Sequence, residues 1–487
     1  MSPEAASPQQ AIRQFLAALR SPARILVAIS GGSDSTGLLL LLDEAIKAAP
    51  HPGISLCAAT IDHALRAGSA DEAREVAALC ASLGIHHMIA RWQGEKPKTG
   101  IMAAAREARY GLLAEAAEAL DANLIVTGHT LDDQRETLAM RGMRTEQVST
   151  GIADAVLFDR RFWILRPFLF STRPDIRAFL RAGGVRWIDD PSNEDIKYER
   201  VRMRRQLSAD PAAETDIRAA WEERLALSSR AAEWLDPHFQ LHGGVLGQVM
   251  PEGLRQDRAV LDYTLGRLTA VFGGQPFVPG SVQMDRILAF AAGSGSGRMT
   301  AGRVVFDLRR DGLYLARENR GMVPLVLRPG EAGVWDGRFQ VRNGSAISIA
   351  IESAATHSPS FLCLSQESSA PKSLGAEDSL PPHMESFTAR TRGGWIPVTS
   401  TGMRERHFGH LPKAAWKRAI ASAPALSSDG AYLSPESASM VELVPYFAPF
   451  DRFLTRFDFI FADRLSAVFA KAPYAGPPLR SIDGKTI

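Results

Sequence analysis

The chain is poor in cysteine. Only Cys57, Cys80 and Cys363 occur in 487 residues, and none stands in Cys-x-x-Cys spacing. That argues against a disulfide framework and against a zinc or iron–sulfur site built from paired thiolates. Cys57 and Cys80 lie in apolar segments and read as core residues. Long apolar runs are also missing: no stretch approaches the roughly 20 residues of a membrane span. Met1 to Gln10 lacks the basic-then-apolar pattern of an export leader. A cytoplasmic chain with no membrane partner is therefore expected. Charge of one sign is missing too, because the formal net charge is only +2. The chain as a whole is not a polycation. Its 45% hydrophobic and 23% charged residues are ordinary for a globular protein, and its length suits about two to four domains.

What is present begins at Ile25. The apolar run Ile25–Ile29 stops at Ser30-Gly31-Gly32-Ser33-Asp34-Ser35, and a leucine-rich helical pattern follows directly. A strand that ends in small residues and opens a helix is a place to hold phosphate. The glycines let the backbone turn sharply and approach a ligand. The serines offer hydroxyls, and the N–H groups of the next helix point at the anion. The loop is not a Walker A loop, since no lysine stands in it. Asp34 inside an anion site makes sense if Mg²⁺ arrives with a nucleotide pyrophosphate.

The first 145 or so residues alternate apolar strands and helices. Strands are read at Ile25–Ile29, Ile54–Ile61, His86–Trp92 and Leu124–Thr127, and helices at Gly37–Ala48, Ala70–Leu83, Met102–Leu120 and Leu131–Arg141. Phe162–Leu165 can add a strand and Arg173–Ala182 a helix. Such alternation predicts a mostly parallel, doubly wound α/β sheet, whose ligands bind beyond the carboxyl ends of the strands. Three chemically loaded stretches fall at such ends: Ser30–Ser35, Asp62–Arg66 and Gly128–Glu136. Asp132 and Asp133 sit in the first turn of a helix, where negative charge suits the dipole. Asp133 and Glu136 share one face, and can take Mg²⁺ or a substrate ammonium. His129 can polarise a phosphate or the reacting group, Asp62 can meet ribose or base, and Arg66 can meet phosphate or RNA. From Arg160 to Arg205 basic residues outnumber acids two to one, as suits a phosphate backbone.

Taken together, the motifs carry a resemblance. Ser30-Gly-Gly-Ser-Asp-Ser35 resembles the signature of the PP-loop (N-type) ATP pyrophosphatases. With Asp62-His63-x-Leu65-Arg66, Ala105-Arg106-x-x-Arg109-Tyr110 and Gly128-His129-x-x-Asp132-Asp133-Gln134-x-Glu136-Thr137, it resembles the tRNA(Ile)-lysidine synthetases. Arg166-Pro167, Trp187-x-x-Asp190-Pro191-Ser192-Asn193 and Tyr198-x-Arg200-x-Arg202-x-Arg204 extend the match, which spans about residues 22 to 207. Val201 departs from the asparagine frequent there, and the last 150 or so residues depart from the family's usual C-terminal domain.

The resemblance implies a fold of the adenine nucleotide alpha hydrolase type, followed by a helical domain and a small C-terminal α+β domain. It implies a catalytic domain over 20–212, a mainly helical tRNA-recognition domain over 213–325, a connecting segment with a Ser/Pro-rich linker over 326–385 and a divergent domain over 386–487. It implies a ligase that joins free L-lysine to the wobble cytidine of an isoleucine tRNA with a CAU anticodon, at the cost of ATP. Asp34, His129 and Asp133 are then catalytic. ATP lies on Ser30, Gly31, Gly32, Ser33, Asp34, Ser35, Asp62 and Gly128, with Mg²⁺ on Asp34 and Asp132. Lysine lies on Asp133 and Glu136, and tRNA on Arg66, Arg109, Arg166, Arg200, Arg202 and Arg204. A monomer or a homodimer is expected. The alternatives are a sulfur-transferring enzyme of the same loop family and a non-catalytic tRNA-binding relict. The missing cysteine groups argue against those sulfur transferases that use iron–sulfur clusters, and the intact loop motifs argue against the relict.

Overall fold

The computed structural model describes residues 6–49, 53–65, 68–97, 99–142, 149–189, 217–356, 411–482 and 485–486. Six strands and six helices come first in the chain. The strands are β1 (Ala23–Ala28), β2 (Ile54–Asp62), β3 (His86–Arg91), β4 (Leu124–Thr127), β5 (Ala155–Phe158) and β6 (Phe162–Leu165). The helices are α1 (Pro8–Ala18), α2 (Ser33–Ala48), α3 (Ser69–Leu83), α4 (Ile101–Ala119), α5 (Leu131–Gly142) and α6 (Arg173–Ala182).

The sheet runs in the order β3-β2-β1-β4-β6-β5, with the short strand Phe453–Thr455 added beyond β5. Pairing is parallel from β3 through to β6, and antiparallel at β5 and at 453–455. Every residue of β4, β5 and β6 is buried, as expected of strands covered on both faces. The order reverses between β1 and its neighbour β4, where Ala28 faces Thr127. That is a topological switch point, the place where such sheets bind ligands. The expectation of a mostly parallel doubly wound sheet holds. The antiparallel strand β5 and the returning strand 453–455 were not expected.

Contacts group the chain into two units. The first holds residues 1–225, 452–458 and 475–487; the second holds 226–451 and 459–474. This differs from four consecutive segments, because the chain returns twice to the first unit. In the first unit Phe453 packs on Phe158 and Tyr110, with ring centroids 5.1 and 5.3 Å apart.

The second unit opens with more β-structure than the sequence suggested. The mainly helical pattern expected over 213–325 has loop signals at Gly243-Gly244 and Gly273-Gly274. At the first of these, Phe239–His242 and Leu246–Val249 form a hairpin across Gly243-Gly244, both glycines with positive φ. With 297–301, 304–309 and 312–317 they make a five-stranded antiparallel sheet against helices Arg258–Gly273 and Ser281–Ala291. Residues 326–356, expected as a connecting segment, supply strands that pair with strands at 424–428 and 441–445. Their core gathers Trp335, Phe339, Val341, Ile349, Ile351, Leu426 and Leu443. Asp336, 1% exposed, receives Arg303, Arg317 and Arg338. The Ser358–Pro382 linker and most of the basic, aromatic stretch Arg390–Lys417 lie outside the described residues.

Candidate active site

The two loaded loops meet because β1 and β4 are neighbours. Ser30–Ser35 leaves β1 and turns into α2; Gly128–Thr130 leaves β4 and turns into α5. Within the first loop, Ser35 Oγ accepts from the Ser30 amide at 3.1 Å and lies 3.2 Å from Ser30 Oγ. It also lies 3.2 Å from the Gly32 carbonyl. Gly31 has φ +83°, the left-handed region that favours glycine. The loop is thus pre-formed, with a helix N-terminus behind it.

Gly128 is set by packing rather than by dihedral angle. A Cβ there would lie 2.9 Å from the carbonyl carbon and oxygen of Asp34 and 3.0 Å from the Ser35 nitrogen. The loop after β4 therefore touches the backbone of the phosphate loop only as glycine. A second close approach sits at Gly37, where a Cβ would lie 2.4 Å from Ile176 Cγ2. It lets α6 lie close against α2.

The start of α6 completes the cluster. Thr172 caps it, accepting from the Asp175 amide at 3.3 Å and donating to its carboxylate at 2.6 Å. The first helical residue is Arg173. Its Nε donates to Asp34 Oδ2 at 2.9 Å, and its Nη2 lies 3.5 Å from Asp133 Oδ1. Its backbone N–H donates to Asp132 Oδ2 at 2.7 Å. Asp133 Oδ2 reaches back to the Thr130 amide and hydroxyl at 2.9 and 3.0 Å, the reach-back half of a capping box. Arg177, one turn on, donates to Ser33 Oγ at 3.2 Å and to Asp189 at 3.1 Å.

Electrostatics single out Asp34. Burial pushes its carboxyl above the ordinary range, against the pull of Arg173, and the nearby Asp133 adds to the rise. One guanidinium is facing two partly buried carboxylates, so the pair is under-compensated. Arg173 itself is held above its usual range, with burial opposed and outweighed by Asp34 and Asp133.

Several expected site residues have partners within the fold. Asp132, expected beside Asp34 at a metal, holds the backbone at the start of α6; the acid that shares a cation with Asp34 is Asp133. Asp62 is buried at the end of β2, where its Oδ1 accepts from the Ala64 amide and the Ser69 hydroxyl at 2.8 and 2.7 Å. Burial pushes its pKa up, but these bonds and Arg91 outweigh it and bring it below the ordinary range. That carboxylate ties the β2–α3 turn. Arg166, expected at tRNA, is 5% exposed; it donates to the Ala153 carbonyl at 2.6 Å and lies 3.4 Å from the Tyr110 hydroxyl. It is an internal strut. Glu136 is buried, a turn behind Asp133. His129 Nδ1 lies 2.9 Å from Thr127 Oγ1, which fixes the ring. Arg109 is exposed and reaches His63 Nε2 at 3.4 Å. Arg66, Arg200, Arg202 and Arg204 lie outside the described residues.

Sequence reading placed Arg173 only in a general basic patch. The available signal was local: Thr-Arg-Pro-Asp opens a helix, and an arginine in its first turn opposes the helix dipole. Such a conflict needs an acidic partner from elsewhere in the fold.

A family model described as a PP-loop domain matches residues 5–210. A tRNA(Ile)-lysidine synthase of Mesorhizobium japonicum is 42% identical over 328 residues, covering 65% of this chain and 72% of that protein. One from Brucella ovis is 35% identical over 347 residues, covering 67% and 76%. One from Rhizobium meliloti is 39% identical over 484 residues, covering 96% of this chain and 97% of that protein. Likeness at that level, end to end, with the PP-loop at the switch point, places this chain in the tRNA(Ile)-lysidine synthase family.

Proposed function

We propose that the chain joins lysine to C2 of the wobble cytidine of tRNA(Ile) with a CAU anticodon, using ATP and giving lysidine, AMP and pyrophosphate. The observation that carries the reading is one juxtaposition. The phosphate loop after β1 and the acidic helix start after β4 converge on Arg173, in a chain related over its whole length to enzymes named for this reaction.

A pyrimidine carbonyl is a poor electrophile, and its oxygen is a poor leaving group. Adenylation cures the second defect. The O2 oxygen attacks the α-phosphorus of ATP, pyrophosphate departs, and the oxygen becomes part of a phosphate ester. The lysine amine then attacks C2, the C2–O bond breaks, and AMP leaves with that oxygen. The chain's residues divide the labour. The Ser30–Ser35 amides and hydroxyls, with the α2 N-terminus, hold the pyrophosphate. His129, fixed by Thr127, offers a polar ring beside the same strand end. Asp133 holds the incoming ammonium through Oδ1 and takes a proton as the amine becomes nucleophilic. Glu136 sets negative potential one turn behind it.

The donor set suits Mg²⁺. Among the described residues no three metal-ligating side chains converge, and Mg²⁺ characteristically needs only one or two carboxylates beside phosphate oxygens and water. Asp34, already facing a cation in Arg173, would hold it. When bound it neutralises charge on the departing pyrophosphate. The wobble base leaves its stack to reach the site, and Arg109, with Arg66, Arg200, Arg202 and Arg204, supplies contacts to the anticodon stem.

Incubation of the purified chain with tRNA(Ile) transcript, ATP and radiolabelled lysine tests the reading. Label is expected in the tRNA only when ATP is present and position 34 is cytidine. Absence of label under all conditions defeats it.

A further inference from the structure

We propose that Arg173 is the resident counter-ion of the reaction site, holding Asp34 and Asp133 together until incoming cations displace it. A divalent ion takes Asp34, and a substrate ammonium takes Asp133. The proposal rests on the reading above that these two acids receive cations, and it assigns a positioning role to a residue that has none there.

Three features of the geometry carry it. First, the guanidinium reaches both acids from different nitrogens, Nε to Asp34 and Nη2 to Asp133. A planar fork can span two carboxylates where a point charge cannot. Second, the bond to Asp133 is the long one, 3.5 Å against 2.9 Å for Asp34. Asp133 Oδ1 is thus the loosely held oxygen, while its Oδ2 is fixed by Thr130. Third, the arginine's main chain is held by bonds separate from those of its side chain. The Thr172 cap and the bond to Asp132 Oδ2 fix the main chain at the start of α6. Only the side chain has to swing for the acids to change partners.

Charge points the same way. One guanidinium stands against Asp34, Asp133 and the adjacent Asp132, and the side chains of Arg173, Asp34 and Asp133 are only 18, 19 and 15% exposed. The cluster is net negative, and water screens it only in part. It keeps an appetite for further cation, and Arg173 sets how strong that appetite is before substrate arrives. Arg177 offers the internal contrast: it is on the same helix, one turn on, and bonds Ser33 and Asp189 rather than the acid pair.

The test uses Mn²⁺ titrated into the full chain without nucleotide, lysine or tRNA, read by electron paramagnetic resonance of the free ion. R173Q is expected to bind Mn²⁺ at least about tenfold more tightly than the wild type. R173K keeps the charge but spans only one acid, so a rise of a few-fold is expected. R177Q is expected to bind as the wild type does. The proposal is overturned if R173Q binds no more tightly than wild type, or if R177Q gains as much as R173Q, which would mean a general field effect. Should R173Q fail to fold, R173K decides, and wild-type affinity there overturns the proposal. No turnover is measured, so this result and the lysine-incorporation result stand or fall separately.

Discussion

At Gly128 a single absent carbon lets two loops share one site. Any Cβ there would press on the Asp34 carbonyl at 2.9 Å, and backbone has no rotamer by which to yield. Gly128→Ala should leave the sheet folded while moving the phosphate loop. Overpacking of this kind costs about 1–3 kcal/mol of stability, so the melting temperature should fall measurably, and the displaced loop should raise the KM for ATP roughly tenfold or more. An unchanged KM would remove Gly128 from the site. His63 gives a second prediction at this scale. Burial and the neighbouring Arg109 bring its pKa down to about 4, against the pull of Asp62. The unfolded chain, with an ordinary histidine near 6.5, then binds more protons between about pH 4 and 6.5. Stability from this residue is complete above that window and is lost as pH falls through it. His63→Asn should therefore flatten the acid limb of a melting-temperature-against-pH profile, and an unaltered limb would show the ring titrating normally. The sequence placed Ser30–Ser35 and Asp133 at strand ends, and the structure brings both stretches to the β1–β4 switch point. At Asp62 and Arg166 the spacing gave no sign of the buried amide, hydroxyls and carbonyl that they bond.

Elements of the first unit were readable for a physical reason. β1, β2 and β4 are apolar runs that end in Gly, Ser or Asp, so core and loop alternate sharply along the sequence. α6 was read over Arg173–Ala182, as the structure has it. What escaped notice is short or paired at long range. The strand Phe453–Thr455 has three residues and partners β5 from nearly 300 positions away; no local pattern encodes that. The hairpin over 239–249 sits inside a helical-looking composition, and only its two glycines mark the turn. The returning strand has a checkable consequence. Leu454 is fully buried opposite Leu157, so Leu454→Ala should destabilise the protein by about 2–4 kcal/mol in urea unfolding. A loss under about 0.5 kcal/mol would mean that the edge strand adds nothing to the sheet.

For the whole molecule, the order of strands turns separate motifs into a site. The phosphate loop alone identified a large group of adenylating enzymes and no substrate. The switch point between β1 and β4 sets Asp34 and Asp133 around one guanidinium. Family membership was legible from the motifs of the first 207 residues, and the end-to-end likeness to curated relatives agrees with it. The second unit was less legible, in part because strands 339–343 and 349–353 pair with 441–445 and 424–428, beyond the long stretch 357–410. The central claim is that activation occurs on the cytidine oxygen. It is tested most directly by tRNA carrying ¹⁸O at O2 of cytidine 34, reacted with ATP and lysine, with the released AMP weighed by mass spectrometry. The account predicts one ¹⁸O in the AMP phosphate for each lysidine formed; lysidine formed with unlabelled AMP would contradict it.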